Sequence, residues 1–313
     1  MMKGLRLIPD DINIDFMGLR YLAFVLSAVF LIGSVVLVAT KGINFGIDFT
    51  GGTAIEIRTP VQPDIAALRE SLEALDLGAI SIQEFGDPKD LLIRMPQQDG
   101  DSGAQQAAID TIKTALDEKF KEQGAVEYRR VEFVGPQVGG ELQQQGLLAI
   151  VISMLGIMAY IWFRFEWQFG VTGLVALLHD TLGIVGLFAL TQMEFSLSTV
   201  AAILLVAGYS INDTVIVFDR IREDLRKYKK MPLAELLNMA VNQTLSRTLV
   251  TSGTTLLALI ALYLFGGEII AMFVTALIFG IIVGTYSSIF VGAQLLIYMN
   301  IRRNQPVEEA AAA

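Results

Sequence analysis

Six runs of apolar residues, each long enough to cross a bilayer as a helix, decide what this chain can become. A hydrocarbon core about 30 Å thick takes roughly 20 residues of helix. The runs lie at Tyr21–Thr40, Leu147–Phe163, Phe169–Leu190, Leu197–Phe218, Thr248–Phe265 and Ile269–Tyr298. Runs of this length satisfy their backbone polar groups inside lipid as helices. The expected fold class is a polytopic α-helical membrane protein with six transmembrane helices and a small α+β domain between the first two. Composition agrees: only 18% of the 313 residues are charged, against about 25% in a typical soluble domain. The sequence predicts a cytoplasmic N-terminal segment (1–20), a first transmembrane helix (21–40) and an exported, periplasmic α+β domain (41–145). A five-helix membrane domain (146–300) with a cytoplasmic loop at 219–247 and a cytoplasmic tail (301–313) complete the chain.

Basic residues set the orientation. Lys3, Arg6 and Arg20 precede the first run, and Arg164 lies in the second-to-third turn. Arg220, Arg222, Arg226, Lys227, Lys229, Lys230 and Arg247 lie between the fourth and fifth runs, and Arg302 and Arg303 follow the sixth. The turns near Glu194 and Glu268 hold no basic residue. Both termini are therefore expected in the cytoplasm and Lys41–Gln145 outside. The first run is too long for a secretory signal and has no small-residue cleavage site after it, so it reads as a retained signal anchor. The segment Asp219–Ser246 is basic and partly amphipathic through Leu233, Leu236, Leu237, Met239 and Ala240. It is expected on the membrane surface near anionic headgroups.

The exported loop reads strand, helix, strand, strand, helix, strand. Thr53–Arg58 alternates apolar and polar residues, as a half-buried strand does. Ile65, Leu68, Leu72 and Leu75 recur at helical spacing, as do Ile109, Ile112, Leu116 and Phe120. Short strand-like runs at Ala79–Phe85 and Asp90–Met95 flank Gly86-Asp87-Pro88, a turn signal. Ala125–Val134 supplies the last strand. This order fits a ferredoxin-like split βαβ unit. The loop carries 18 acidic residues against 10 basic ones, which gives either a solvated face or a surface for protein partners.

Several chemistries are excluded. The chain has no cysteine and one histidine, His179, so thiolate sites and multi-histidine zinc sites cannot form. It has no phosphate-cradling glycine loop and no nucleophile–base set. The net charge of −9 does not favour nucleic acid. Neither enzymatic activity nor a cofactor or metal is expected.

Ionisable residues inside a membrane cost about 2.5–3.5 kcal/mol each on insertion scales, so each needs a reason. Asp213 lies about 9 Å inside the end of the fourth run, counting 1.5 Å per residue back from Asp219. Tyr209 and Ser210 share its helix face at i−4 and i−3. A buried carboxyl of this kind serves either as a proton relay or as a structural hydrogen-bonding group. Arg247 opens the fifth run, with Thr251 and Thr255 following at i+4 and i+8. It reads either as an arginine snorkelling to the interface or as a cation tuning Asp213. His179 and Asp180 sit at the centre of the third run. Adjacent helical residues point about 100° apart, so they are not expected to face one neighbour, and packing and proton handling stand as equal readings. Gly280, Gly284 and Ser288 recur every four residues in the sixth run, the spacing that lets helices approach closely.

Five segments together carry a family resemblance. They are Gly46-Ile-Asp-Phe-Thr-Gly-Gly52, Val134-Gly-Pro-Gln-Val-Gly139, Ser210-Ile-Asn-Asp-Thr-Val-Ile-Val-Phe-Asp-Arg-Ile-Arg-Glu223, Ser246-Arg-Thr-Leu-Val-Thr-Ser252 and Gly284-Thr-Tyr-Ser-Ser288. In this order and spacing the chain resembles the SecF subunits of the bacterial Sec protein-export machinery, of the resistance–nodulation–division superfamily. The resemblance implies a heterodimer with SecD, association with the SecYEG channel and YajC, contact with the exported polypeptide and membrane lipid, and a multi-pass location in the bacterial inner membrane. It implies use of the proton-motive force to promote late steps of export. It assigns proton conduction to Asp213 with Arg247 in support, and leaves His179, Asp180, Tyr209, Ser210, Asn212 and Thr251 as supporting candidates. Two other readings stay open: a proton-driven lipid or drug exporter half of the same superfamily, and a non-transporting scaffold for SecD.

Overall fold

The computed structural model describes residues 13–98, 102–299 and 301. The expectations placed on Lys3, Arg6, Arg302, Arg303 and the tail from 302 onward lie outside the described residues. The chain forms two compact units. One comprises the residues up to Asn44, Ala149–Met193 and those from Ser198 on; the other comprises Phe45–Leu148 with Glu194–Leu197 added.

The second unit opens on a short turn of helix, α2 (Ile47–Thr50). It continues through β1 (Gly52–Arg58), α3 (Ile65–Glu73), β2 (Ser81–Phe85), β3 (Asp87–Met95), α4 (Ser102–Phe120) and β4 (Glu127–Val134). The sheet order is β2-β3-β1-β4, every neighbouring pair antiparallel. That order is compatible with the split βαβ expectation: β1 and β2 run the same way with β3 between them. Asp64 caps α3, its Oδ1 accepting from the Ala66 and Ala67 amides at 2.9 and 3.2 Å. Ile55, Ile57, Leu91 and Ile93 of the sheet meet Leu68, Leu72, Ile112 and Leu116 of the helices in one apolar core. β1 is buried along both faces rather than one. The face carrying Ala54 and Glu56 pairs across strands with Arg94 and Leu92 of β3 and with Glu132 and Arg130 of β4, whose long side chains flank it.

The loop Glu194–Leu197 is built into this unit. Phe195 bridges Phe45 in parallel, and the Gly46 amide donates to its carbonyl at 2.9 Å. Leu197 N donates to Asp48 Oδ2 at 2.8 Å. Arg94 and Glu194, both largely buried, pair at 2.6 Å. A Cβ on Gly46 would meet the Glu194 carboxylate and displace it from its place beside Arg94.

The first unit is helical. Among the described residues six helices are long and apolar enough to cross a membrane: α1 (Arg20–Lys41), α5 (Pro136–Arg164), α6 (Trp167–Thr191), α7 (Leu197–Lys227), α8 (Leu233–Phe265), and the stretch formed by α9 (Glu268–Ser287) with a π-helical turn (Ser288–Ala293) and a last turn of 3₁₀ helix (Leu296–Met299). Three of them outrun the apolar runs. α5 starts at Pro136, a residue suited to a first helical position because its missing N–H is not needed there. α7 continues past Phe218, and α8 begins at Leu233 rather than Thr248. A helix needs apolarity only within the bilayer, whereas its length follows from packing on either side of it.

Within 219–246 the amphipathic stripe is not the lipid-facing one that the sequence suggests. Leu236, Leu237, Ala240 and Val241 are fully buried, packed with Ile221 and Leu225 of α7, Phe16 and Met17, and Leu296. Their stripe faces a protein core and not lipid headgroups. The segment before α1 is pinned to the same helix: Asn238 Oδ1 accepts from Phe16 N at 2.8 Å, and Asn242 Oδ1 from Ile14 N at 2.8 Å.

Candidate functional site

The polar residues of the membrane helices gather around two buried carboxylates. α7 presents Ser210, Asp213, Thr214 and Val217 on one buried face, the i, i+3, i+4, i+7 stripe of a helix. Asp213 is 1% exposed. Ser252 of α8 donates to Oδ2 at 3.3 Å, and Ser252 also shares a 2.8 Å hydrogen bond with Thr285 of α9. Oδ1 has no hydrogen-bond partner among the described residues. Thr251 and Arg247 lie within electrostatic reach of the carboxylate. Arg247 is exposed and forms no ion pair among the described residues. It is thus a through-space neighbour of Asp213 that also faces outward.

Asp180 of α6 is also 1% exposed, but it is fully engaged. Its Oδ2 accepts from Ser210 of α7 at 2.6 Å and from Ser287 of α9 at 2.9 Å. Its Oδ1 lies 3.2 Å from His179 Nδ1. The imidazole sits between Phe30 of α1 and Tyr286 of α9, with ring centroids 5.2 and 5.9 Å away. The Tyr286 hydroxyl donates to the Ala23 carbonyl at 3.0 Å. His179 and Asp180 therefore do share a neighbouring helix, contrary to expectation. α9 lies between their two directions and offers Tyr286 to one and Ser287 to the other.

Glycine makes that approach possible. A Cβ on Gly284 would fall 2.9 Å from Ser210 Cβ and 3.4 Å from Asp180 Oδ2, and one on Gly280 would collide with the Val206 side chain. The four-residue stripe of small residues in α9 thus seats this helix against α7 and brings Ser287 to the Asp180 carboxylate.

Of the remaining candidates only Thr251 stays beside Asp213. Ser210 turns to Asp180 and not to Asp213. Tyr209 donates to Thr255 at 3.2 Å. Thr251, in the interior of α8, also donates back to the Arg247 carbonyl at 3.0 Å. Asn212 is exposed and makes no side-chain hydrogen bond with a described residue. Sequence reasoning passed over Ser252, Thr285 and Ser287. Ser252 and the 284–288 motif carried the family resemblance, and that was the only signal available for them.

A membrane protein of six spanning helices, with carboxylates buried between them and a four-stranded α+β unit between the first two spans, is the architecture that these residues define. Comparison with known proteins places it within a family. The SecD/SecF C-terminal domain of protein export membrane proteins matches residues 113–302, and the SecD/SecF GG motif matches residues 36–59. The chain belongs to the SecD/SecF family of protein export membrane proteins. It is 45% identical over 306 residues to the protein translocase subunit SecF of Rickettsia rickettsii, covering 97% of this chain and 98% of that one. It is 44% identical over 314 residues to that of Cereibacter sphaeroides, covering 98% and 96%. The crystal structure of SecDF, a translocon-associated membrane protein from Thermus thermophilus, superposes with a TM-score of 0.84 at 35% identity, over 94% of this chain. The chain spans 40% of the length of that SecDF protein.

Proposed function

We propose that this chain is the SecF-type half of a SecDF complex in the bacterial inner membrane, with both termini in the cytoplasm, and that it couples proton movement through Asp213 to late steps of protein export. It acts as a transport subunit rather than an enzyme. One observation carries the reading: Asp213 is buried between α7 and α8 with a long hydrogen bond from Ser252 and, among the described residues, one oxygen without a hydrogen-bond partner. A carboxylate held this loosely can change protonation without breaking a network. The membrane potential supplies about 2.3 kcal/mol per charge per 100 mV, enough to bias two arrangements of the helices that differ in affinity for the proton. Arg247, within electrostatic reach, sets how readily the charge is borne.

A second half of comparable size is the natural partner. α8 has no buried residue beyond Ser252, and Leu257 and Phe265 stand 69% and 87% exposed. Transporter repeats place their sites at repeat interfaces. The SecD-type partner takes that role, with the SecYEG channel, YajC and the emerging polypeptide as further contacts.

The test is Asp213→Asn in cells depleted of the native subunit, with export precursors and SecD co-purification followed together. Precursor accumulation with an intact complex is the expected result. Normal export would remove Asp213 from the mechanism and bring a scaffold role forward. Arg247→Lys separates a guanidinium role from charge alone, and unchanged export in that variant counts against a specific guanidinium contact.

A further inference from the structure

At the basic end of the membrane unit, the ends of α5 and α7 and the Gln243–Arg247 stretch of α8 surround a cavity of about 770 Å³. Its wall holds six cations, Arg164, Arg220, Arg222, Arg226, Lys227 and Arg247, against two carboxylates, Asp219 and Glu223. Those carboxylates are taken. Asp219 pairs with Arg164 at 2.9 Å and Glu223 with Arg220 at 2.8 Å. Arg222 donates to the Arg164 carbonyl at 3.1 Å, which offers no charge to balance it. Arg222, Arg226, Lys227 and Arg247 form no ion pair with any described carboxylate. Lys227 acts on the Asp224 carboxylate and Arg247 on that of Asp213, so Arg222 and Arg226 are the cations left without a carboxylate neighbour, and an anion with several acceptor oxygens relieves their repulsion. Planar guanidinium groups match phosphate oxygens in particular.

The surroundings say where such a phosphate comes from. Trp162 and Phe163, 61% and 95% exposed, stand immediately before Arg164, and exposed aromatics mark the headgroup level of a bilayer. Leu249 and Val250, exposed just past Arg247 on α8, continue as an apolar surface of the kind an acyl chain covers. The apolar stripe of 236–241, which the sequence assigned to lipid, is turned into the core, so this cavity is the feature left on that segment to meet a headgroup.

We propose that the cavity binds the phosphate of an anionic phospholipid, with Arg222, Arg226 and Lys227 as principal contacts. These three principal contacts lie outside the Asp213 reading, and Arg247, which lines the cavity as well, is left unchanged in the test. The test uses the full chain purified in detergent, with bound lipid read by native mass spectrometry and stability by thermal unfolding. Phosphatidylglycerol, phosphatidylcholine and millimolar inorganic phosphate are added in separate arms. Phosphatidylglycerol is expected to stay bound and raise Tm, with phosphatidylcholine doing neither. Arg222→Gln/Arg226→Gln/Lys227→Gln is expected to weaken phosphatidylglycerol binding by roughly a hundredfold. Inorganic phosphate that raises the Tm of the unaltered protein and not of the triple variant, with phosphatidylglycerol inactive, keeps the phosphate site and makes its source soluble. Equal binding of the two lipids with no response to phosphate overturns the proposal, as does undiminished phosphatidylglycerol binding by the triple variant. Should the triple variant not fold, the lipid comparison on the unaltered protein decides, and Arg226→Lys, which keeps the charge, must retain binding.

Discussion

Asp180 and Asp213 sit on adjacent helices, equally buried, and differ in almost everything else. Asp180 accepts two short hydroxyl hydrogen bonds and touches an imidazole. Asp213 has a long hydroxyl contact from Ser252 and, among the described residues, no hydrogen-bond partner for its other oxygen. A buried charge is tolerable when its lone pairs are satisfied and costly when they are not. Asp180 therefore behaves as part of the packing, tying α6, α7 and α9 together through residues that would all lose partners if it left. Asp213 contributes little to holding helices together, and its presence there calls for another reason. The proposed proton relay supplies one.

The contrast can be broken by experiment, and Asp213→Asn is the largest expected effect. It should reduce proton-driven export by about tenfold or more, a scale of about 1.4 kcal/mol for one pK unit of differential protonation. Its Tm in detergent should stay near that of the unaltered protein. Asp180→Ala should do the reverse. Stranding the Ser210 and Ser287 hydroxyls costs about 1–3 kcal/mol, read as a lowered Tm, while export per folded complex stays near normal. An Asp180 variant with unchanged Tm and failed export would erase the distinction. Gly284→Ala comes next: a methyl 2.9 Å from Ser210 Cβ overpacks the α7–α9 contact and should cost about 1–3 kcal/mol. The smallest expected effect pairs Ser252→Ala with Ser287→Ala. Each removes one hydroxyl donor worth about 0.5–1.5 kcal/mol. The first should slow export a few-fold with little change in Tm, and the second should lower Tm with little change in export.

The sequence carried the six spans because lipid imposes a composition on any helix that crosses it. It carried the βαββαβ order because β1, β3 and the two helices bury residues at the periods of strand and helix. It singled out Asp213, since a charge within an apolar run is visible without coordinates. What it could not carry was partnership. Serine and threonine within helices often bond to their own backbone, as Thr251, Thr255 and Thr285 do with carbonyls four residues earlier. Nothing in the sequence distinguishes those from Ser252 and Ser287, which turn outward to a carboxylate. Ser287 meets Asp180 from a helix more than a hundred positions along the chain. The helical stretch at 233–247 was misassigned for a related reason, because an amphipathic stripe fits a lipid surface and a facing helix equally well.

The small loop Glu194–Leu197 has a consequence for the order in which this protein is made. The four-stranded unit leaves the ribosome before α5 and α6, yet it lacks four of its residues until the chain beyond α6 has followed. Up to that moment Arg94 has no Glu194, the Gly46 amide has no Phe195 carbonyl, and Asp48 has no Leu197 amide. Domains generally fold from the N-terminus as they are synthesised. This one is finished out of sequence, by a turn that arrives only once the third span has been laid down.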